Sequence, residues 1–157
     1  MYSDKEALIV QEIKNQTSKR NGIFAVNIVI PLVFGAFIYL TKAERTYISD
    51  ILSAFRSVLP IINYPEIIRN YACDFLWAYT LFFCLRLSLG DKLKGEHNLM
   101  VIAMASIVAV SLETIQLNTA IPGTFDPWDI VVELIAIATA DLIETIIERR
   151  FKSYEEK

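Results

Sequence analysis

The sequence predicts an all-α membrane protein: a four-transmembrane-helix bundle, with an amphipathic interfacial helix between the first two spans and a short N-terminal surface helix. Three observations carry that expectation. Hydrophobic residues are 54% of the 157, above the roughly 45–50% of an ordinary soluble domain. The excess is gathered into four blocks, 23–41, 71–89, 99–117 and 128–147, each close to the ~20 residues that cross a ~30 Å hydrocarbon core. Basic residues collect at the edges of these blocks, where orientation signals belong.

The elements are taken in order. Residues 1–22 open with Ser3, Asp4, Lys5 and Glu6 and close with Asn21-Gly22. Ser3 with Glu6 fits a capping box and Asn-Gly fits a helix stop, so a short cytoplasmic surface helix is expected, its Leu8, Ile9 and Ile13 free to rest on the membrane or on a partner. The first span, 23–41, lies behind this polar segment and lacks a small-residue cleavage site, so it reads as a retained span and not a signal peptide. Pro31 near its entry predicts a kink. Residues 45–69 place Ile48, Ile51, Leu52, Phe55, Val58 and Leu59 at helical spacing before Pro60, which predicts a helix lying in the headgroup layer. Asn63-Tyr64-Pro65 makes a turn, and Tyr64, Tyr71, Trp77 and Tyr79 mark an aromatic belt at the second span's mouth. Cys73 and Cys84 fall eleven residues apart on that span, about 16 Å along one helix, and are expected as free thiols.

Charge sets the orientation. With the N-terminus cytoplasmic, the inner side carries Lys5, Lys14, Lys19, Arg20, Lys92, Lys94, Arg149, Arg150, Lys152 and Lys157. The outer side carries only Lys42, Arg45, Arg56 and Arg69. This asymmetry puts both termini and the tail 148–157 in the cytoplasm of a multi-pass cell-membrane protein. The same orientation sends Asp74, Glu113, Gln116, Asp126, Asp129 and Glu133 to one leaflet, the outer one. Carboxylates near a membrane interior are costly, so their convergence from three spans is expected to form an outward-facing polar pocket. Asp126, before Pro127, also suits the N-cap of the last helix, and Asp129 the positive end of its dipole. Glu113 has no such structural role near a helix C-terminus.

Arg86 lies about fifteen residues into the second span and Asp141 about thirteen into the fourth, so at ~1.5 Å per residue their depths match. A structural ion pair between Arg86 and Asp141 is expected, with Glu144 as the next candidate. His97 is the sole histidine, which leaves no Cys/His metal set and no Cys-His nucleophile pair; neither metal nor cofactor is expected. A net charge of −3 and scattered basic residues give nucleic-acid binding no support.

The pattern Glu113-x-x-Gln116, Pro122-Gly123, Phe125 and Asp129 before an apolar last span, preceded by Asp74 in an aromatic-rich helix, resembles the VanZ-like family of small bacterial membrane proteins. The similarity covers roughly residues 71–144. The chain departs from the family's pattern at Trp77-Ala78-Tyr79, where a histidine is common, at Thr124 in place of arginine, and at Glu133 in place of asparagine, so its pocket is more acidic. The resemblance implies a link to teicoplanin resistance. Beside it stand three functions: binding of an amphiphilic envelope component or glycopeptide antibiotic at the outer leaflet, with Tyr71, Phe125 and Trp128 as apolar contacts; a small proton-coupled transporter, for which a homo-oligomer would supply more room; and lipid-modifying chemistry on paired carboxylates. Membrane lipids are the common partner.

Overall fold

The computed structural model describes residues 2–42, 53–89, 98–117 and 125–155. These form helices α1 (Tyr2–Thr41), α2 (Ser53–Arg56), α3 (Glu66–Leu89), α4 (Asn98–Ile115) and α5 (Pro127–Glu155), with no strand among the described residues. α1 over Lys14–Thr41, α3 and α4 are each long and apolar enough to cross a membrane. α5 is long enough as well, but Asp129, Glu133, Asp141 and Glu144 all fall in its first eighteen residues.

α3 and α5 pack on each other, α4 packs on both, and α1 rests mainly on α3 with a lighter contact to α5. The cross-section is a rhombus with α1 and α4 at its far corners. Its interior is a seam of small and aromatic residues. α4 buries Val101, Ala105 and Ala109, α3 buries Ala78, Phe82 and Phe83, and α5 buries Ala136, Ile137 and Ala140. Alanines at helical spacing let backbones approach closely, the main source of attraction where lipid is as apolar as the side chains. Phe24 of α1 completes the seam against Phe83, ring centroids 5.5 Å apart. Large apolar residues on the outer faces, among them Val33, Phe34, Ile107 and Ile135, stay exposed, as expected where lipid is the solvent.

Several boundaries differ from expectation, each for a tertiary reason. α1 runs unbroken through Asn21-Gly22. A mid-helix glycine costs about 1 kcal/mol, but the neighbouring Arg20 pairs with Glu148 at 3.4 Å and lies over the Phe24 ring, so packing on both sides carries the helix through. The side chains of Ser3, Glu6, Leu8, Ile9 and Ile13 fall outside the described set. Pro31 is buried within the same helix, which continues to Thr41.

The interfacial helix expected over 45–69 is not continuous. Its first part, 45–52, lies outside the described residues; beyond it the chain makes the single turn of α2 and then runs irregularly to Pro65. Three contacts fold this segment back over the end of α1. The Ile62 N–H donates to the Thr41 carbonyl at 2.8 Å, the Arg56 guanidinium donates to the Lys42 carbonyl at 3.0 Å, and Tyr64 and Thr41 share a hydroxyl hydrogen bond of 2.7 Å. Carbonyls that a helix C-terminus leaves orphaned are thereby satisfied.

α3 starts at Glu66, five residues ahead of the expected 71, because Pro65 supplies a preset first turn whose carbonyl accepts from Arg69 N–H. Tyr79, expected in the aromatic belt, instead donates to Asn27 Oδ1 at 2.6 Å and ties α3 to α1. α5 continues eight residues past the expected end at Ile147. Cys73 and Cys84 are free thiols.

Candidate functional site

At one end of the rhombus the C-terminus of α4, the N-terminus of α5, the first half of α3 and the last residue of α1 converge. Glu113 follows Val101, Ala105 and Ala109 at four-residue intervals, so it occupies the inward strip of α4 and is 5% exposed. Gln116, one helical turn on, donates from Nε2 to Glu113 Oε1 at 2.8 Å. Glu133 stands on the inward strip of α5 with Ile137, Ala140, Glu144 and Glu148, and is 3% exposed.

Among the described residues, Glu113 Oε2 and Glu133 Oε2 are both buried without a hydrogen-bond partner. An orphaned buried carboxylate oxygen forgoes about 1–3 kcal/mol or more; Glu144 Oε2 and Glu148 Oε1, in the group around Arg86, share that condition.

The other expected site residues surround this pair. Asp74 is half-buried and within electrostatic range of Asp129, Glu113 and Glu133. It lies eight residues into α3, about 12 Å from that helix's start. Asp129 interacts electrostatically with Glu113 and with Asp126, and Tyr71 feels both aspartates. Asp126 caps α5: its Oδ1 accepts from the Trp128 N–H at 3.0 Å, with Pro127 as the first helical residue. The dipole of α5 therefore points its positive end at the cluster, where it favours the nearby carboxylates.

The cluster is graded in burial: Asp126, Asp129 and Gln116 are half-buried, and Glu113 and Glu133 are buried. One turn further into the helices, Ala78, Ala109, Ala136 and Ile137 are each at most 1% exposed. Among the described residues no three acidic, cysteine or histidine side chains converge in a metal-holding arrangement.

One member escaped the sequence reading. Lys42, which directly follows α1, lies over the Tyr39 ring, 4.4 Å from its centroid. It acts electrostatically on Asp74 and Cys73. Lys42 ends an apolar block, where a lysine reads as an orientation signal; no local pattern ties it to Asp74, 32 positions away. Pro122, Gly123 and Thr124 lie outside the described residues, and Phe125 and Trp128 precede and open α5, Trp128 largely exposed.

A second polar group lies at the opposite end of the interior. The expected Arg86–Asp141 pair does not form; Arg86 Nε donates to Glu144 Oε1 instead. Asp141 turns toward α4 and accepts from Asn98 Nδ2 at 3.1 Å. Depth matching could not separate two residues less than a turn apart, whereas the inward strip of α5 passes through 144 and not 141. Glu148 extends the group, lying 3.8 Å from Arg86 and 3.4 Å from Arg20, and so joins α1, α3 and α5. Compared with known protein families, curated proteins and solved structures, the chain shows no significant match.

Proposed function

We propose that the chain is a four-span VanZ-like membrane protein whose acidic cluster, open to the outer face of the cell membrane, binds the amine-bearing headgroup of an amphiphile. The observation that carries this reading is the pair of buried carboxylate oxygens on Glu113 and Glu133, backed by Asp74 and Asp129. An ammonium group offers up to three donors and a positive charge, matching two acceptors from different helices. Gln116 leaves one Glu113 oxygen for the ligand. Tyr71 and the exposed Trp128 suit contact at the lipid boundary.

Ala78, Ala109, Ala136 and Ile137 pack tightly between the acidic cluster and the Arg86–Glu144 group, which suits a binding site confined to one face of the bundle. The similarity to VanZ-like proteins rests on Asp74, Glu113, Gln116, Phe125 and Asp129, and it brings teicoplanin, an acylated glycopeptide, among the probes. As for orientation, the excess of basic residues at the termini supports a cytoplasmic placement for both.

Binding of dodecylamine, of its neutral counterpart dodecanol and of teicoplanin to the protein in nanodiscs tests the proposal. Dodecylamine should bind better than dodecanol, and Glu113→Gln with Glu133→Gln should remove the preference. Equal binding of the amine and the alcohol, or an unchanged preference in the folded double variant, would overturn it.

A further inference from the structure

Val26, Ile30, Val33 and Phe37 recur at intervals of four, three and four residues, so they share one face of α1, and each is 42–61% exposed. Leu40 is the next position on that face. There the stripe runs into a groove of about 380 Å³, lined among the described residues by Leu40, by Ala54 of α2 and by Val58 and Leu59 just after it. That volume falls within the roughly 300–1,000 Å³ of ligand sites. The groove stands at the last turn of a helix long and apolar enough to cross a membrane, the level at which acyl chains meet headgroups. A cation lies next to it: the Arg56 guanidinium reaches from α2 to the Lys42 carbonyl at 3.0 Å, two residues past Leu40.

We infer that the groove holds an acyl chain of an anionic phospholipid, with the phosphate at Arg56 and the rest of the lipid along the α1 stripe. This site is separate from the acidic cluster and does not rest on the amine reading. A guanidinium presents five N–H donors in a planar fork that matches phosphate oxygens, and basic groups at the headgroup level favour anionic lipids. The stripe itself selects lipid over a second copy of the chain. Helices that pack closely in a membrane present small residues to each other, whereas valine, isoleucine and phenylalanine fill this face. Lys42 is not part of the site. Its N–H still bonds in the helical pattern to the Ile38 carbonyl, so at ~100° per residue it projects about 160° away from Leu40, over the Tyr39 ring.

Native mass spectrometry of the detergent-solubilised protein provides the test, with phosphatidylglycerol, phosphatidylcholine of the same chains and free glycerophosphoglycerol as probes. Phosphatidylglycerol should be retained about fivefold over phosphatidylcholine, the worth of one basic side chain at a headgroup. Arg56→Gln should remove that preference, and Arg56→Lys, which keeps the charge, should preserve most of it. Ala54→Phe fills the groove from an exposed position, so it leaves the core untouched and should lower the retention of both lipids. Lys42→Gln, a loss of charge on the other side of α1, should change neither. Free glycerophosphoglycerol should compete poorly, because it has no chain to place in the groove.

Equal retention of the two lipids by the wild type, or an undiminished preference in Arg56→Gln, would overturn the inference. Normal lipid retention by Ala54→Phe would remove the groove from it. A Lys42→Gln protein that lost the preference as fully as Arg56→Gln would reveal a diffuse surface-charge effect, and glycerophosphoglycerol competing as well as the whole lipid would reveal an anion site without a chain. A dimer that Ala54→Phe dissociates would put a second copy on this face instead. Each of these results counts against a lipid in the groove.

Discussion

Replacing Glu144 tests whether the inner charge group holds the bundle together. Arg86 is 7% exposed and Glu144 fully buried. Removing one partner of such a pair in a soluble protein costs about 3–5 kcal/mol, mainly because the other charge stays buried without it. Here Glu148 remains 3.8 Å from Arg86 and offsets part of that loss, so Glu144→Gln should cost about 2–4 kcal/mol. Asp141→Asn serves as the control. Its partner is Asn98, through one hydrogen bond of 3.1 Å, so the cost should stay near 1 kcal/mol.

The double variant Arg86→Met/Glu144→Leu sharpens the test. Removing both charges removes the desolvation penalty of each, so it should be more stable than Glu144→Gln alone. Reversible unfolding of each variant in mixed micelles supplies the four free energies. The reasoning fails if Asp141→Asn destabilises as much as Glu144→Gln, which would restore the pair that depth alone suggested. It also fails if the double variant is less stable than Glu144→Gln, since removing both charges leaves neither buried without its partner.

Four further outcomes rest on single contacts, each read from the same unfolding measurement unless stated. Asp126→Ala should lose about 1 kcal/mol, the worth of an N-cap, because only its Oδ1 meets the Trp128 N–H. Gly22→Ala should stabilise by about 0.5–1 kcal/mol, since a Cβ there meets nothing within 4 Å; destabilisation would mean that α1 breaks at Asn21-Gly22 after all. Tyr79→Phe should cost about 0.6 kcal/mol, the mean worth of an interhelical hydrogen bond in a membrane, and Asn27→Ala combined with it should add little. Ala109→Leu should cost about 1–3 kcal/mol by overpacking the seam and should also disturb dodecylamine binding, because Ala109 underlies Glu113 on the same strip.

The apolar blocks were legible because lipid exposure leaves so simple a composition, and the cap at Asp126 was legible because Asp-Pro before an apolar run is a local signal. The ends of α1 and α3 were not. Gly22 stays helical because Arg20 reaches Glu148, more than a hundred residues away, and no window around Asn21-Gly22 contains that information. The meeting of Asp74, Glu113, Asp129 and Glu133 was readable from orientation plus helix rise, a one-dimensional argument about depth. That argument has no access to rotation, which is why it chose Asp141 over Glu144. Adding the helical period would have helped: Glu133, Ile137, Ala140, Glu144 and Glu148 recur every three or four residues, and Asp141 falls beside that strip.

That strip also bears on whether α5 crosses the membrane, since its carboxylates prevent a hydropathy average from deciding. Glu133 and Glu144 are buried and Asp141 is half-buried, while Leu134, Ile135, Leu142 and Ile146 are 42–59% exposed on a helix of 29 residues. Charge that is turned inward adds nothing to the cost of lipid contact, so we predict that α5 crosses the membrane although its composition does not mark it as a span. Single cysteines placed in a Cys73→Ala/Cys84→Ala background read this directly. With a membrane-impermeant maleimide, Leu134→Cys, Leu142→Cys and Ile146→Cys should stay unmodified until the membrane is dissolved. Trp128→Cys should react from outside intact cells, and Arg150→Cys only in inverted vesicles. Modification of the three leucine and isoleucine positions in intact membranes would place α5 on the surface. Reversed sidedness at 128 and 150 would turn the acidic cluster toward the cytoplasm, and an outer-leaflet ligand with it.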